Sequence, residues 1–289
     1  MRPPDFWVIG AMKSGTTTLF HDLSLHPRIR LADKESPGLG RHDPTDPAGL
    51  DAYLRQWRDA GPTDVLGEVA CHYAMAPLHP SPAGRAARVS PRARVVYIVR
   101  EPVSRIISHH HHDVASGVAD PDIDRAVRSD PRFLDYSRYA TQLDAWRRHF
   151  HDSSIRVIRF EDYVRHRRAE TSSLLDWLGL PPLAETVDLD RRDNASASRQ
   201  AARGLVRRAL HSRTYRERVR PRVPQQLRSR VAASVLPAPT TRPAPPGPDT
   251  VGWLTEQLRP EVGRLRQLTE GRVGWDLDEV TAAFRRPSS

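Results

Sequence analysis

Short apolar runs alternate with stretches of helical periodicity along the first two thirds of the chain. Residues 6–9 and 95–99 are continuously apolar, which is typical of strands buried on both faces of a parallel sheet. Further strand candidates are residues 29–31, 65–69 and 155–160. Helical periodicity occurs at residues 18–25, 50–58, 134–150 and 171–178. This alternation predicts an α/β fold in which helices cover both faces of a central parallel sheet.

The pattern changes in the last third of the chain. Residues 190–249 are rich in Arg, Ser, Ala and Pro, which favours either a lid over a ligand or a solvent-exposed tether. Basic helices are predicted within it at residues 205–210 and 215–219. Helical periodicity returns at residues 250–275. We therefore expect a single domain over residues 1–289, with a core at about 5–185 and a C-terminal helix docked on it.

Composition narrows the function only a little. The net charge of +10 would suit a nucleic acid, a polyanionic sugar or an anionic membrane, but it also fits a solvated surface rich in arginine. The single cysteine, Cys71, excludes an intrachain disulfide and fits a reducing compartment. No apolar run approaches the roughly 20 residues of a membrane span, and the first run is too short for a signal peptide. These features favour a cytoplasmic protein with no membrane partner.

One of the only two lysines in the chain lies in the loop after the first predicted strand. Lys13 and Lys34 stand against 43 arginines. A lysine is a point charge on a flexible stem, whereas an arginine is a planar fork. A strand, a Gly-rich turn and a helix N-terminus together form a binding site for an anion. The order Lys13-Ser14-Gly15-Thr16 differs from a Walker A motif, where lysine follows the second glycine. The loop therefore predicts a site for a phosphate-like group.

A second motif follows the predicted strand at residues 95–99. This strand ends in Arg100, at a position where one strand of a P-loop NTPase carries a metal-holding aspartate. A guanidinium instead forms a bidentate pair with an anion. Pro102 suits the first turn of a helix, and Ser104 and Ser108 share one face of it. The two motifs predict a ligand with two separate anionic groups and no obligatory metal.

Together these motifs resemble those of the sulfotransferases that use 3′-phosphoadenosine-5′-phosphosulfate (PAPS), closest to the heparan-sulfate-type and bacterial branch. The likeness lies in Ile-Gly-x-x-Lys-x-Gly-Thr-Thr and, roughly 85 residues later, Arg-x-Pro-(five residues)-Ser. It implies a P-loop-like three-layer fold, with the 5′-phosphosulfate in the first loop and the 3′-phosphate on the second motif. The residues to which it assigns cofactor binding are Lys13, Ser14, Gly15, Thr16, Thr17, Thr18, Arg100 and Ser108.

The resemblance implies an enzyme of the EC 2.8.2 type. It would transfer the sulfuryl group of PAPS to a hydroxyl or amine of a small-molecule or carbohydrate acceptor, release 3′-phosphoadenosine-5′-phosphate (PAP) and require no metal. A P-loop kinase or other nucleotide-phosphate transferase is an alternative that would need a metal and a lysine after Gly15. A nucleic-acid-binding protein that uses the arginine-rich segment at residues 190–250 is another.

In-line sulfuryl transfer needs a base for the acceptor and a cation for the leaving phosphate. Lys13 is predicted to be that cation, and three residues are candidates for the base. Glu35 lies where the heparan-type enzymes carry a catalytic glutamate. Glu68 lies in a segment that resembles the family's Gly-Glu-x-Ser-Pro-x-Tyr. His72, four residues later, is the third candidate, because a histidine is the base in the cytosolic branch. We favour Glu35, with Glu68 orienting the acceptor or supporting the base.

Two other clusters suggest metal chemistry but do not favour it. Of the four consecutive histidines at residues 109–112, only the first and last share a helix face, so we predict no metal site there. Glu161 and Asp162 follow the predicted strand at residues 155–160 and could imitate a Walker B carboxylate. Without a lysine in the Walker A position, we do not expect this role.

Overall fold

The computed structural model of the chain describes residues 1–34, 36, 38–41, 46–189 and 243–285. Glu35, the predicted basic helices and most of the predicted lid or tether lie outside these residues. The chain divides into two compact units, of which the first comprises residues 1–106, 131–193 and 247–289, and the second comprises residues 107–130 and 194–246. The single-domain organisation stays a prediction.

The first unit contains a five-stranded sheet in the order β2-β3-β1-β4-β5, and every pair of neighbours is parallel. The strands are β1 (Phe6–Val8), β2 (Ile29–Leu31), β3 (Val65–Val69), β4 (Arg94–Val99) and β5 (Ile155–Arg159). Strand β1 lies between β3 and β4, so the loops that follow β1 and β4 leave the same edge of the sheet side by side. The predicted α/β fold, with a central parallel sheet flanked by helices, is confirmed.

The helices follow the strands in chain order. They are α1 (Thr16–Ser24), α2 (Gly38–Arg41), α3 (Pro47–Leu54), α4 (Ala83–Val89), α5 (Pro102–Ala115), α6 (Ile123–Ser129), α7 (Arg132–Asp135), α8 (Tyr139–Arg147), α9 (Phe160–Arg165), α10 (Arg167–Trp177), α11 (Pro248–Leu268) and α12 (Leu277–Arg285). A short 3₁₀ helix, Arg55–Trp57, follows α3.

Alternating side chains of the central strands build two cores in the first unit. Phe6 and Val8 of β1 pack with α1, α9 and α10 on one face of the sheet. Trp7 points to the other face and packs with α8 and α11. Both sets are wholly buried, as expected when helices cover both faces of a parallel sheet.

Two predicted helices are interrupted. The helix predicted at residues 134–150 is divided into α7 and α8, and between them the Ser137 hydroxyl accepts a hydrogen bond from the wholly buried Arg105 at 2.6 Å. The helix predicted at residues 250–275 ends at Leu268, because Glu270 and Gly271 turn the chain with φ angles of 52° and 79°. Local periodicity does not reveal either interruption.

The described part of the second unit contains the C-terminal part of α5 and α6. His109 and His110 are buried. The His109 Nε2 atom lies 3.4 Å from Asp113 Oδ2, and the His110 ring is hydrogen-bonded to the Asp120 carbonyl at 2.8 Å. Across all described residues, no group of three or more His, Cys, Asp or Glu side chains could hold a metal ion. The described helices also include none that is long and apolar enough to cross a membrane.

Candidate active site

The loop after β1 continues to pair with β4 before it turns into α1. The Ala11 N–H donates to the Ile98 carbonyl at 2.6 Å, and the Ile98 N–H donates to the Gly10 carbonyl at 2.9 Å. The chain then turns at Lys13 and Gly15, whose φ angles are 66° and 89°. This extended pairing fixes the loop, which we call the anion loop (residues 10–16), against the strand that carries the second motif.

Glycine is required at residue 15 for two reasons. Its positive φ is unfavourable for other residues. In addition, a Cβ at this position would lie 2.7 Å from the ring of Phe160, the first residue of α9. The end of β5 therefore packs directly against the anion loop.

The N-terminus of α1 has no cap from a side chain. Gly15 is its N-cap residue, and among the described residues no side-chain hydrogen bond caps the helix. In α3, by contrast, the Asp46 carboxylate accepts from the Gly49 N–H at 3.0 Å. The first N–H groups of a helix have no acceptor within the helix, so those of α1 are available to an anion.

Ser14 adds a buried polar group to this helix N-terminus. Its side chain is wholly buried, and its Oγ atom has no hydrogen-bond partner among the described residues. A buried hydroxyl without a partner costs free energy. An anion held by the anion loop would remove that cost, which makes Ser14 the best-placed side chain to contact it.

Arg100 brings the second motif to the anion loop. Its Nη1 atom lies 3.4 Å from the Lys13 carbonyl oxygen, so the two motifs meet across 87 residues of sequence. The guanidinium stacks on the Phe160 ring, with 5.0 Å from Cζ to the ring centroid. Arg100 is half-buried. The Arg100 guanidinium therefore lies against the anion loop, which itself contains Lys13.

The N-terminus of α5 is occupied by a side chain of the protein. The Glu101 carboxylate accepts hydrogen bonds from the Val103 and Ser104 N–H groups, both at 2.7 Å. Burial raises the pKa of Glu101 above its usual value. Because these N–H groups are already bonded, an anion at the end of β4 would depend on the Arg100 side chain.

Glu68 lies on β3 inside a cluster of aromatic side chains. Its side chain is wholly buried, and its two carboxylate oxygens accept hydrogen bonds from Tyr53 at 2.7 Å and from Tyr73 at 3.0 Å. Each hydroxyl in turn accepts an N–H, from Trp7 to Tyr53 at 3.1 Å and from Leu39 to Tyr73 at 2.7 Å. We call these five residues the Glu68 cluster.

The Glu68 cluster is covered by protein on the side of α2, and its burial raises the pKa of the Glu68 carboxyl group. Burial raises the pKa of Glu68 to about 7, although the hydrogen bonds from Tyr53 and Tyr73 act in the opposite direction. A Cβ at Gly38 would lie 2.0 Å from the nearer Glu68 oxygen, so α2 covers the carboxyl group directly. His72 is half-buried beside the cluster, with its ring centroid 4.7 Å from that of Tyr73.

Comparison with known proteins finds similarity to sulfotransferases. A family model described as Sulfotransferase family matches residues 50–185, which include β3, β4, Arg100 and β5. The human bifunctional heparan sulfate N-deacetylase/N-sulfotransferase 2 is 25% identical over 202 residues, which cover 63% of this chain and 22% of that protein. The human heparan sulfate glucosamine 3-O-sulfotransferase 3B1 is 23% identical over 188 residues, which cover 61% of this chain and 46% of that protein.

Over residues 50–185, just under half of its length, the chain matches the model of the sulfotransferase family. It spans about a fifth to a half of the length of these curated relatives. A crystal structure of a sulfotransferase from Alicyclobacillus acidocaldarius has the same fold, with a TM-score of 0.63 at 20% identity over 99% of this chain and 100% of that one. The mouse sulfotransferase SULT7A1 complexed with PAP gives a TM-score of 0.50 at 15% identity, over 93% and 88% of the two chains.

The structure brings together part of the predicted sulfotransferase site. The residues that lie on the anion loop or the first turn of α1 are Lys13, Ser14, Gly15, Thr16, Thr17 and Thr18. Arg100 lies next to them. Ser108 lies on α5 in the second unit, and Glu35 lies outside the described residues. Glu68 and His72 lie together on and after β3, the strand beside β1.

Sequence reasoning missed several residues that shape the site. Phe160 was expected to be the last residue of a strand, yet its ring lies between Gly15 and Arg100. Tyr53 was expected only as one residue of an apolar helix face, yet it donates to Glu68. The aromatic residue at the end of β5 was a signal for the first. The signal for Tyr53 was its polar hydroxyl among the apolar residues of the helix predicted at residues 50–58.

Proposed function

We propose that this sulfotransferase-family protein transfers the sulfuryl group of PAPS to a hydroxyl or amine group of a carbohydrate or small-molecule acceptor and releases PAP. The observation that carries the proposal is the anion loop. It combines the uncapped N-terminus of α1 and the buried, unpartnered Ser14 hydroxyl with Lys13 in the loop and with Arg100, whose guanidinium lies against the Lys13 carbonyl. These groups suit a ligand with a phosphosulfate and a second phosphate.

In this proposal the anion loop holds the 5′-phosphosulfate. The acceptor oxygen or nitrogen forms a bond to sulfur, while the bond between sulfur and the bridging oxygen of the 5′-phosphate breaks. The leaving phosphate gains negative charge, which the Lys13 ammonium and the N–H groups of α1 stabilise. Arg100 and Ser108 hold the 3′-phosphate. The acceptor proton goes to a base.

We propose Glu35 as that base, because the sequence resemblance assigns a catalytic glutamate to its position. Glu68 is proposed as a carboxylate that supports this side of the site from within the protein. Its two oxygens already accept hydrogen bonds from tyrosines, which favours a supporting role over proton abstraction. His72, half-buried beside the Glu68 cluster, is the alternative base.

The acceptor class follows from the relatives. Those with the names given above modify heparan sulfate, so a carbohydrate hydroxyl or amine is the first acceptor to test. The single cysteine suits a reducing compartment, and a cytoplasmic bacterial location is part of the proposal. A nucleic acid is not among the proposed partners.

Calorimetry with PAP, 5′-AMP and ATP plus magnesium tests which nucleotide the protein binds. Transfer of labelled sulfate from PAPS to a panel of amino sugars and phenols tests the reaction. We expect PAP to bind without metal and much more tightly than 5′-AMP. Equal affinities for PAP and 5′-AMP would contradict the proposal. Tighter binding of ATP with magnesium would favour a phosphoryl-transfer enzyme.

A further inference from the structure

The peptide unit that joins Arg100 to Glu101 is held on both sides by side chains. The Tyr139 hydroxyl donates to the Arg100 carbonyl oxygen at 2.8 Å. The Glu161 Oε1 atom accepts from the Glu101 N–H at 2.8 Å. Backbone groups at the end of a strand usually bond to other backbone groups or to water. Here both groups of one peptide are bonded to side chains, which fixes its plane.

Trp275, which lies between α11 and α12, contacts both of the side chains that hold this peptide. Its indole Nε1–H donates to Glu161 Oε2 at 3.2 Å. Its ring centroid lies 6.0 Å from that of Tyr139. The two Glu161 oxygens are thus divided between the Glu101 N–H and the Trp275 N–H. A residue 175 positions away in sequence therefore supports the backbone of Arg100.

Charge alone does not explain Glu161. A carboxylate close to a cation that binds an anion weakens that binding, because it repels the ligand. Glu161 is partly neutralised by Arg159, whose Nε atom lies 3.5 Å from Oε2 and whose guanidinium lies 5.9 Å from the Trp275 ring centroid. We therefore attribute the role of Glu161 to geometry, because it accepts two hydrogen bonds in fixed directions.

We propose that Glu161 and Trp275 are positioning residues that set the direction of the Arg100 guanidinium and thereby select nucleotides with a second phosphate. A guanidinium makes its paired hydrogen bonds with a phosphate only when its plane is correctly oriented. The held peptide sets the start of the Arg100 side chain, and the Phe160 ring sets its plane. This inference rests on the proposed function, because it takes the 3′-phosphate as the ligand of Arg100.

The test measures the affinities of Trp275→Phe and Glu161→Gln for PAP and for 5′-AMP by calorimetry. The first variant keeps the ring and loses the N–H donor, and the second loses one of two acceptor atoms. We expect each to weaken PAP binding roughly threefold to tenfold, the range of one hydrogen bond, with 5′-AMP affinity unchanged. Trp177→Phe is the matched control, because Trp177 lies 5.3 Å from Arg94 at the start of β4 and has no contact with the 100–101 peptide.

Repeating the Trp275→Phe measurement in an Arg100→Ala protein separates a positioning role from general support of the fold. In an Arg100→Ala protein, Trp275→Phe should have no further effect on PAP binding, because the side chain that it positions is absent. If PAP and 5′-AMP affinities fell together, or if the effect persisted without Arg100, the inference would be wrong. Should Trp275→Phe not fold, Glu161→Gln gives the same comparison.

The outcome for the wild-type protein distinguishes this inference from the proposed function. If the wild type binds PAP no better than 5′-AMP, the proposed function fails before any variant is made. If the wild type prefers PAP and both variants keep that preference in full, only the positioning role of Glu161 and Trp275 is wrong.

Discussion

The anion loop and the Glu68 cluster lie on the neighbouring strands β1 and β3, yet they treat polar groups in opposite ways. In the anion loop, the first N–H groups of α1 have no side-chain cap and the Ser14 hydroxyl has no partner among the described residues. In the Glu68 cluster, every hydroxyl and both carboxylate oxygens are bonded. An unsatisfied polar group is a place for a ligand, whereas a saturated network holds parts of the protein together.

This difference separates two carboxylates that the sequence alone ranks together. Glu35 and Glu68 lie after or within short strand segments, and the sequence resemblance assigns each of them a counterpart in the family. In the structure, Glu68 is the centre of a hydrogen-bond network that joins β1, β3, α2 and α3. Such a residue is expected to be costly to remove for the fold and less important for proton transfer.

The largest expected effect tests this separation directly. Glu35→Gln should lower turnover roughly a hundredfold to ten-thousandfold, the usual cost of removing a general base, with PAP affinity nearly unchanged. Glu68→Gln should reduce turnover less in protein that remains folded. Both are measured with labelled PAPS and the best acceptor found. If Glu35→Gln retained its turnover while Glu68→Gln or His72→Ala lost most of it, the base would be the residue whose variant lost turnover.

The next largest effect concerns Lys13. Lys13→Ala should lower turnover roughly a hundredfold to a thousandfold and PAP affinity much less, because its charge stabilises the leaving phosphate mainly in the transition state. Lys13→Arg should not restore turnover, since a planar fork replaces a point charge in a tight loop. Single-turnover and binding measurements separate the two quantities.

The Lys13 backbone needs its own control. Its φ of 66° is unfavourable for most residues, and Asn adopts it more readily than Ala. Lys13→Asn should therefore lose turnover as Lys13→Ala does while keeping the loop conformation. If Lys13→Arg were almost fully active, the special role of this lysine would be wrong.

The Glu68 cluster predicts a pH dependence of stability. The pKa of Glu68 rises from 4.5 to about 7 on folding, so the folded state holds a proton that the unfolded state loses. The stabilisation by this proton is fully present below pH 4.5 and is lost as the pH rises through about 7. The free energy of unfolding should fall by roughly 3 kcal/mol across this window.

Glu68→Gln is the matched control for that measurement, because it cannot titrate. Denaturant unfolding of both proteins across this pH window gives the difference, which removes the contribution of other carboxyl groups such as Glu101. If the free energy of unfolding of the wild type and of Glu68→Gln changed equally with pH, the carboxyl group of Glu68 would titrate near its ordinary pKa.

The same two regions show what sequence reasoning can reach. The anion loop is local, so its lysine, glycine and flanking strand and helix could be predicted from nine consecutive residues, 10–18. The bounds of β2 and β3 and the apolar part of β4 were predicted correctly because apolar runs determine them. The meeting of Lys13 with Arg100 followed from the parallel sheet, whose strand ends share an edge.

The Glu68 cluster could not be predicted in this way. Its closure depends on Trp7 and Leu39, which are 61 and 29 residues from Glu68 and donate hydrogen bonds to the two tyrosine hydroxyls. Part of the burial around Glu68 comes from α2, a four-residue helix that no periodicity in the sequence predicts. Contacts between distant side chains, rather than local periodicity, decide whether a carboxylate is open or closed.

The smallest effect in this comparison concerns Arg100, the cation that lies against the anion loop. Arg100→Ala should weaken PAP binding about tenfold to a hundredfold, because charge-assisted hydrogen bonds contribute roughly 1.5–3 kcal/mol. Affinity for 5′-AMP should stay the same, since the first phosphate is bound by the anion loop. Arg94→Ala is the matched control, because Arg94 stacks on Trp177 at the opposite end of the same strand. A loss of 5′-AMP affinity equal to that of PAP would mean that Arg100 supports the loop as a whole through the Lys13 carbonyl and does not read the second phosphate.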